Sequence, residues 1–226
     1  MVERAAAAAL GAAVHVSRSV TIPIFPLPGA ILFPRSQLPL HIFEPRYREM
    51  VRDAIDGPAR IGMIQPLRLD EDNKAPLYEV GCLGEIVGIE ELDDGRFNIV
   101  LLGSNRFRLV GEVAGDSAYR CANVDIEAFD DREPDPLPLV QRAEVEREAR
   151  RLGDAMGLAV DWGAVARLDD EMLVNAIAQV APFDPGAKQA LLEQPTLDSR
   201  ADLLVQLMQF HRAAVTGGVE IEPTIQ

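Results

Sequence analysis

Residues 21–50 read TIPIFPLPGAILFPRSQLPLHIFEPRYREM, and this stretch decides the fold. Proline fixes its own φ, lacks a backbone N–H and moves the preceding residue out of the helical region. A helix before Leu40 is excluded by the five prolines of the stretch, which are Pro23, Pro26, Pro28, Pro34 and Pro39. The apolar residues between them predict extended segments with a chain reversal at Pro28-Gly29.

The stretch ends in a helix. Pro45 suits the first helical turn, where its missing N–H is not needed, and Glu44 lies at the positive end of that turn. Apolar side chains then recur at helical spacing, at Tyr47, Met50, Val51 and Ala54. The pattern predicts a helix of about three turns that ends at Gly57-Pro58.

A mostly antiparallel sheet is predicted between residues 60 and 128. The strand-like runs are residues 60–65, 82–89, 97–102, 106–113 and 121–128. Glycine-containing turns are expected at Asp93-Asp94-Gly95 and at Gly103-Ser104-Asn105. The run after the second turn alternates apolar residues with Arg106 and Arg108, which predicts that both arginines lie on the wet face of the strand.

The composition changes after residue 129. Residues 130–138, DDREPDPLP, contain three prolines and four acidic residues. Such a segment neither pairs in a sheet nor continues a helix, so it predicts a linker. The linker would join a predominantly β part, residues 20–129, to a helical part, residues 139–216.

Four helices are expected in the helical part, because apolar residues recur there at helical spacing. Asp169 or Asp170 would cap the second helix, and Asp184 before Pro185 would begin the third. The second helix is predicted to bury one face made of Met172, Leu173, Ala176, Ile177 and Val180.

The chain is acidic overall. Its 226 residues include 22 Lys and Arg against 36 Asp and Glu, a formal net charge of −14. This charge repels phosphate backbones, so general nucleic-acid binding is disfavoured. Cys82 and Cys121 lie in strand-like runs and fit small buried thiols of a reducing compartment. No apolar run approaches the roughly 20 residues that span a bilayer, and we expect a cytoplasmic protein without membrane contact.

The two ends of the chain are set apart from the predicted domains. Residues 1–19 begin MVERAAAAALGAAVHV and predict a flexible alanine-rich extension. A secretory signal is the alternative, but Glu3 offsets Arg4 and leaves no clearly positive start. Residues 217–226 follow the last helix and predict a tail.

Several segments, in this order, resemble one family. They are IPIFPLPGAILFP, LPLHIFEPRYREMV, IGMIQP, YEVGCLGEIVGIEELDDGRFNIVLLGSNRFRLV and PFDPGAKQALLEQPTLDSRADLLVQLM. Together they are similar to the amino-terminal, substrate-binding domain of the ATP-dependent Lon proteases. The resemblance implies an α+β fold, in which a PUA-like β pseudo-barrel with an inserted helix precedes a four-helix bundle-like half.

Catalytic chemistry is not indicated by the sequence. The glycine frame of an ATP-binding G-x-x-x-x-G-K-[ST] loop does not precede Lys74 or Lys188. The serines lie in polar or turn contexts and not beside a buried lysine, as a Ser-Lys dyad requires. His41 and Glu44 straddle the predicted strand-to-helix join, so a zinc site is disfavoured as well. We therefore expect no enzyme activity, no metal and no cofactor.

Binding is the better prediction. Aromatic and apolar residues lie beside positive charge where the opening segment meets its helix, and such a surface suits an exposed apolar stretch of another polypeptide. The predicted binding residues are Phe33, Pro34, Phe43, Arg46, Tyr47, Arg106 and Phe107. The alternative is that the aromatic residues only join the helix to the barrel.

Two functions are compatible with the sequence. As the resemblance implies, the chain would bind unfolded or exposed apolar protein segments as an adaptor or chaperone-like protein in protein quality control. A separate protease or chaperone would then be a partner, and the oligomeric state is open, with a weak dimer as one option. The alternative is an RNA-binding module that uses Arg46, Arg48, Arg106 and Arg108, and the net charge opposes it.

Overall fold

The computed structural model describes residues 19–68, 74–134 and 136–216. Apart from Ser19, the predicted alanine-rich extension lies outside these ranges, and so does the predicted tail. In the described ranges all the strands come in the first part of the chain, and all the helices but one come after them. The strands are β1 (Ser19–Pro26), β2 (Gln37–Ile42), β3 (Arg60–Ile64), β4 (Val80–Glu91), β5 (Phe97–Val113) and β6 (Arg120–Asp125).

One helix is inserted between β2 and β3, and the others follow β6. The helices are α1 (Pro45–Asp56), α2 (Leu139–Ala155), α3 (Trp162–Val165), α4 (Asp170–Val180), α5 (Pro185–Glu193) and α6 (Leu197–Thr216). The predicted α+β class is confirmed. The helical half differs by α3, a single turn that the sequence pattern did not predict.

The strands form one sheet that closes on itself. Its order is β2-β5-β4-β3-β1-β6, and an additional pairing of β5 with β6 closes a ring of five strands, with β2 outside the ring. β1 runs parallel to β3, whereas β5 is antiparallel to each of its neighbours. Closure removes the exposed edges of an open sheet. β2 lies at the end of the order, and one of its edges is not paired by a described strand.

Closure depends on the length of β5. This strand has 17 residues. Its first half pairs with β2 and β4, and its second half pairs with β4 and β6. The register shifts between Leu109 and Gly111, and such a bulge bends a strand and increases its twist. One strand thereby belongs to both sides of the barrel.

The predicted turn at Gly103-Ser104-Asn105 is wrong, because β5 continues through it. The Gly103 N–H donates to the Ser36 carbonyl at 2.9 Å, and the Gly103 carbonyl accepts from the Arg35 N–H at 2.8 Å. A side chain on Gly103 would collide with the carbonyl of Phe33. The glycine therefore permits a close approach of two backbones and makes no turn.

The hydrophobic core has two parts. A smaller cluster fills the barrel around Phe107 and includes Ile22, Ile24, Ile64, Leu83, Ala122 and Val124. A larger cluster contains Tyr47 of α1, Leu101 of β5, Leu173 of α4 and Leu204 of α6. Because this cluster draws on sheet and helices alike, the barrel and the helical half share one core.

Helix α1 agrees with its prediction, whereas α4 buries a different face. α1 begins at Pro45, and its buried residues are Tyr47, Met50, Val51 and Ala54. In α4, Met172 and Val180 are exposed, contrary to prediction. The residues that α4 buries are Glu171, Leu173, Val174, Asn175 and Ala178. Glu171 and Asn175 accept hydrogen bonds from arginines of other segments, and apolar spacing cannot reveal such partners.

The close approach at Gly103 gives a test of the fold. We expect Gly103→Ala to lower the free energy of unfolding by about 2–3 kcal/mol, because the Phe33 carbonyl belongs to the backbone and cannot move aside easily. Gly111→Ala in the same strand is the matched control, since nothing lies within 4 Å of its added methyl group, and it should change stability by less than about 1 kcal/mol. Urea denaturation measures both, and equal effects would contradict the close approach.

Candidate functional site

Most of the predicted binding residues lie in the interior. The buried ones are Phe33, Pro34, Tyr47, Arg106 and Phe107. Phe107 fills the barrel, and the ring centroids of Tyr47 and Phe25 lie 4.1 Å apart. The Pro34 carbonyl accepts a hydrogen bond from Asn175 at 3.3 Å. In this conformation these side chains stabilise the fold and offer little surface to another molecule.

Phe43 and Arg46 remain near the surface, but they differ in character. Phe43 follows β2 directly and is 60% exposed. Arg46 is half-buried, because its guanidinium forms an ion pair with Glu44 at 2.7 Å and lies 4.7 Å from the ring centroid of Tyr47. Phe43 is therefore the predicted residue that is best placed to contact a partner.

A surface groove lies next to Phe43, across strands β2, β5 and β4. Its volume is about 490 Å³, and its lining includes Pro39, His41, Gly88, Ile89, Asn98 and Val100. The His41 and Phe43 rings are stacked with centroids 6.3 Å apart, so Phe43 extends this surface at the end of β2. We call the feature the barrel groove.

The barrel groove has exposed apolar side chains on β4. Ile89 is 47% exposed and Val87 is 52% exposed. The register of β4 and β5 shifts between Ile86 and Gly88, so Val87 is the extra residue of a bulge. Gly88 has no side chain to cover Val100 beneath it. The bulge and the glycine together leave apolar surface open to solvent.

The other side of the barrel groove is polar and ordered. Arg96 Nη1 lies 3.2 Å from His41 Nε2, and His41 Nδ1 lies 2.7 Å from Asn98 Oδ1. Arginine can only donate, so Nε2 accepts and Nδ1 carries the proton that is donated to Asn98. The Asn98 amide then donates to Glu90 at 2.8 Å. This chain of bonds connects the three strands that form the floor of the groove.

Sequence reasoning missed the barrel groove, although a signal was available. Gly88 interrupts an apolar strand, and a glycine inside a strand indicates a bulge or a close approach. His41, which lies near the predicted strand-to-helix join, has its partner on the neighbouring strand, at Asn98. Three strands form this site, and β2 is far from β4 and β5 in sequence, so the pattern of any one strand could not define it.

Arg106 serves the junction between the two halves. The prediction that it lies on a wet face is wrong, because it is 2% exposed. Its guanidinium forms an ion pair with Asp131 at 2.8 Å and donates to the carbonyls of Leu192 at 3.0 Å and Gln194 at 2.6 Å. A buried guanidinium needs such partners, and they come from the segment before α2, from the end of α5 and from the residue that follows α5.

Other kinds of site have little support in the described residues. No group of three or more His, Cys, Asp or Glu side chains there is arranged to hold a metal ion. Cys82 and Cys121 are free thiols, and burial raises the pKa of Cys82, which makes a reactive thiolate unfavourable. None of the described helices has the length and apolar character that a bilayer crossing requires.

The fold and the groove define a class of protein, an α+β module in which a closed barrel with an apolar surface groove shares its core with a helical half. A family model described as the ATP-dependent protease La (Lon) substrate-binding domain matches residues 21–209. The chain belongs to this family, which confirms the resemblance found in the sequence.

Curated relatives are similar along most of this chain. Lon protease 2 of Desulfotalea psychrophila is 25% identical over 195 residues, which cover 82% of this chain and 24% of that protein. The Lon protease of Anaeromyxobacter dehalogenans is 24% identical over 229 residues, which cover 97% of this chain and 27% of that protein. The chain thus spans about a quarter of the length of these relatives.

Solved structures have the same fold. A Lon N-terminal domain protein from Xanthomonas campestris has a TM-score of 0.59 and 21% identity, covering 83% of this chain and 98% of that chain. The N-terminal domain of the Mycobacterium avium complex Lon protease has a TM-score of 0.61 and 16% identity, covering 85% of this chain and 100% of that chain. At these identities the likeness establishes the fold alone.

The ion pair between Arg106 and Asp131 gives a second test. We expect Asp131→Ala to lower the free energy of unfolding by about 3–5 kcal/mol, because it leaves the Arg106 charge buried without its carboxylate. The neighbouring Asp130→Ala is the matched control. Asp130 pairs with Arg132 at 2.6 Å on the exposed surface, where ion pairs contribute little, so its denaturation curve should match that of the parent. Similar curves for the two variants would refute the role of Arg106.

Proposed function

We propose that this chain binds exposed apolar segments of unfolded or partly folded polypeptides through the barrel groove. The observation that carries the proposal is the groove itself, whose lining includes Pro39, Ile89 and Val100, with the exposed Phe43 ring stacked on His41 at its end. A groove with exposed apolar side chains is typical of protein-interaction sites. Membership of a family described by substrate binding supports the same function.

The groove favours weak and tolerant binding. Fully burying one apolar side chain contributes about 1.5–3 kcal/mol, and ordering an unfolded segment costs part of that gain. Two or three anchored side chains therefore support dissociation constants in the micromolar range or weaker. Weak binding of this kind suits a site that must accept many different unfolded sequences.

Side chains contribute more to this mode of binding than strand addition does. The edge of β2 that the described strands leave unpaired could accept an extended segment. Pro39 lies in the middle of β2 and provides no N–H, so a ladder of backbone hydrogen bonds along this edge would be incomplete. The partner would be recognised mainly by apolar groups placed in the groove.

The biological role follows from binding without chemistry. We infer that the chain acts as an adaptor or chaperone-like protein in protein quality control and delivers polypeptides to a separate protease or chaperone. The buried Cys82 thiol is unsuited to nucleophilic attack, because burial raises its pKa. Free cysteines fit a reducing cytoplasm.

The RNA-binding alternative is not favoured. Arg106 is buried, and Arg46 and Arg108 lie beside the carboxylates of Glu44 and Glu79. Cations that already have acidic neighbours contribute little to phosphate binding, and the net charge of −14 adds repulsion. Three of the four arginines named for RNA binding are thus buried or paired with a carboxylate.

The groove can be tested with a labelled, permanently unfolded polypeptide such as reduced and carboxymethylated α-lactalbumin. Titration followed by fluorescence anisotropy should show saturable binding. We expect Phe43→Ser to weaken it about 5–20-fold, because loss of one apolar anchor costs about 1–2 kcal/mol. Gly88→Leu should also weaken binding, because the new side chain would occupy the groove.

Phe210→Ser is the matched control. Phe210 is also an exposed phenylalanine, at 74%, but it lies on α6 and not on the barrel. Its replacement should leave affinity for the unfolded polypeptide unchanged. Absence of saturable binding by the parent chain would overturn the proposed function, and equal loss in the Phe43 and Phe210 variants would overturn its location.

A further inference from the structure

A second, larger cleft lies where the barrel, the segment before α2 and the start of α6 meet. Its volume is about 810 Å³, and its lining includes Arg35, Arg106, Asp131, Glu171, Leu197 and Arg200. We call it the junction cleft. It is separate from the barrel groove, and nothing in the proposed function uses it.

Most charges in the junction cleft have a partner of opposite sign. Arg106 pairs with Asp131 and Arg35 pairs with Glu171. Among the arginines that line the cleft, the exception is Arg200, which is 4% exposed. None of the carboxylates in the described part of the chain forms an ion pair with it.

The hydrogen bonds of Arg200 leave part of its guanidinium free. Nε donates to the Leu191 carbonyl at 3.1 Å, and Nη1 donates to Asn175 Oδ1 at 2.9 Å. Both acceptors are uncharged. Within the described ranges, Nη2 donates to no residue, and burial together with the nearby Arg106 lowers the pKa of Arg200 to about 10. A buried cation in this state is stabilised by an added anion.

A second set of donors lines the same cleft. The first turn of α6 begins at Leu197, and helix N-termini attract anions because their first N–H groups have no partner within the helix. The Ser199 N–H is satisfied by Thr196 Oγ1 at 3.2 Å. The N–H groups of Leu197 and Asp198 have no acceptor among the residues that the structure describes. Both residues line the cleft, which places these N–H groups near an anion bound there.

We propose that the junction cleft binds a carboxylate group through the free side of the Arg200 guanidinium and the first amides of α6. A carboxylate is planar and matches the fork of a guanidinium. A singly charged ligand is favoured over a phosphate, because the exposed acids Asp130, Glu133 and Asp198 line the same cleft and repel a dianion more strongly. The carboxylate belongs either to a small organic acid or to the C-terminus of a polypeptide.

Acetate is the simplest probe. We would titrate it against the ¹⁵N-labelled chain at constant ionic strength, with chloride as the balancing anion. Saturable chemical-shift changes are expected at the amides of Leu197 and Asp198 and at the Arg200 Nε–H. Chloride alone should give no saturable change at these positions. Linear shifts, or the same response to chloride, would overturn the proposal.

Two variants separate a ligand site from a structural role of Arg200. Glu133→Gln removes an exposed negative charge from the lining and should tighten acetate binding by about twofold, as expected for a partly screened charge. Arg200→Lys keeps a cation but loses the fork, and it should weaken acetate at least tenfold. If Arg200→Lys does not fold, the Glu133 variant still decides, because an unchanged affinity there would contradict the proposal.

A pair of apolar tetrapeptides distinguishes the two sources of carboxylate. One peptide has a free C-terminal carboxylate and the other is amidated. If the ligand is a polypeptide C-terminus, the free peptide binds at least tenfold more tightly than acetate and the amide loses this gain. If it is a small acid, acetate binds and neither peptide exceeds it. Binding of the amidated peptide alone, without acetate, would overturn the proposal.

Discussion

Arg106 is 2% exposed, and a guanidinium buried this deeply needs partners for its N–H groups, so its burial constrains everything around it. The chain satisfies it with the Asp131 carboxylate and with backbone carbonyls from the end of α5 and the segment after it. These partners come from the segment before α2, from the end of α5 and from the connection between α5 and α6, so the helical half must lie against β5. The larger hydrophobic cluster, with Leu101 and Leu204, packs across the same junction. Barrel and helices thus form one body.

The barrel groove is a consequence of how β5 completes the barrel. One long strand pairs with β2 and β4 at one end and with β4 and β6 at the other. At the end where β5 pairs with β2, the sheet extends beyond the closed ring. The bulge at Val87 and the absence of a side chain on Gly88 leave this part of the sheet surface exposed. The chain of hydrogen bonds from Arg96 to Glu90 fixes the strands there. The barrel groove therefore has a hydrogen-bonded floor and apolar side chains at its edge. This arrangement suits a partner that is recognised by its side chains.

Short-range sequence patterns correctly predicted the elements that depend mainly on neighbouring residues. The prolines and the apolar spacing predicted α1. Asp169 and Asp184 cap α4 and α5, because each accepts a hydrogen bond from a backbone N–H in the first turn of the helix that follows it. The wrong predictions concern residues whose environment is determined by partners far away in sequence. Gly103 is needed because Phe33 approaches it, and Arg106 is buried because Asp131 reaches it. The same distance explains the candidate site: Phe43 was predicted, but the groove beside it depends on a pairing of β2, β4 and β5 that one strand pattern cannot contain.

Hydrogen–deuterium exchange of the intact chain, with and without a saturating unfolded polypeptide, is the most direct test of the proposed binding site on the barrel. We expect slower exchange in residues 37–43, 87–90 and 98–100, because a bound segment would cover these backbones. Exchange in α2 and α6 should stay the same. Protection confined to the helical half, or spread evenly along the chain, would contradict a recognition site on the barrel.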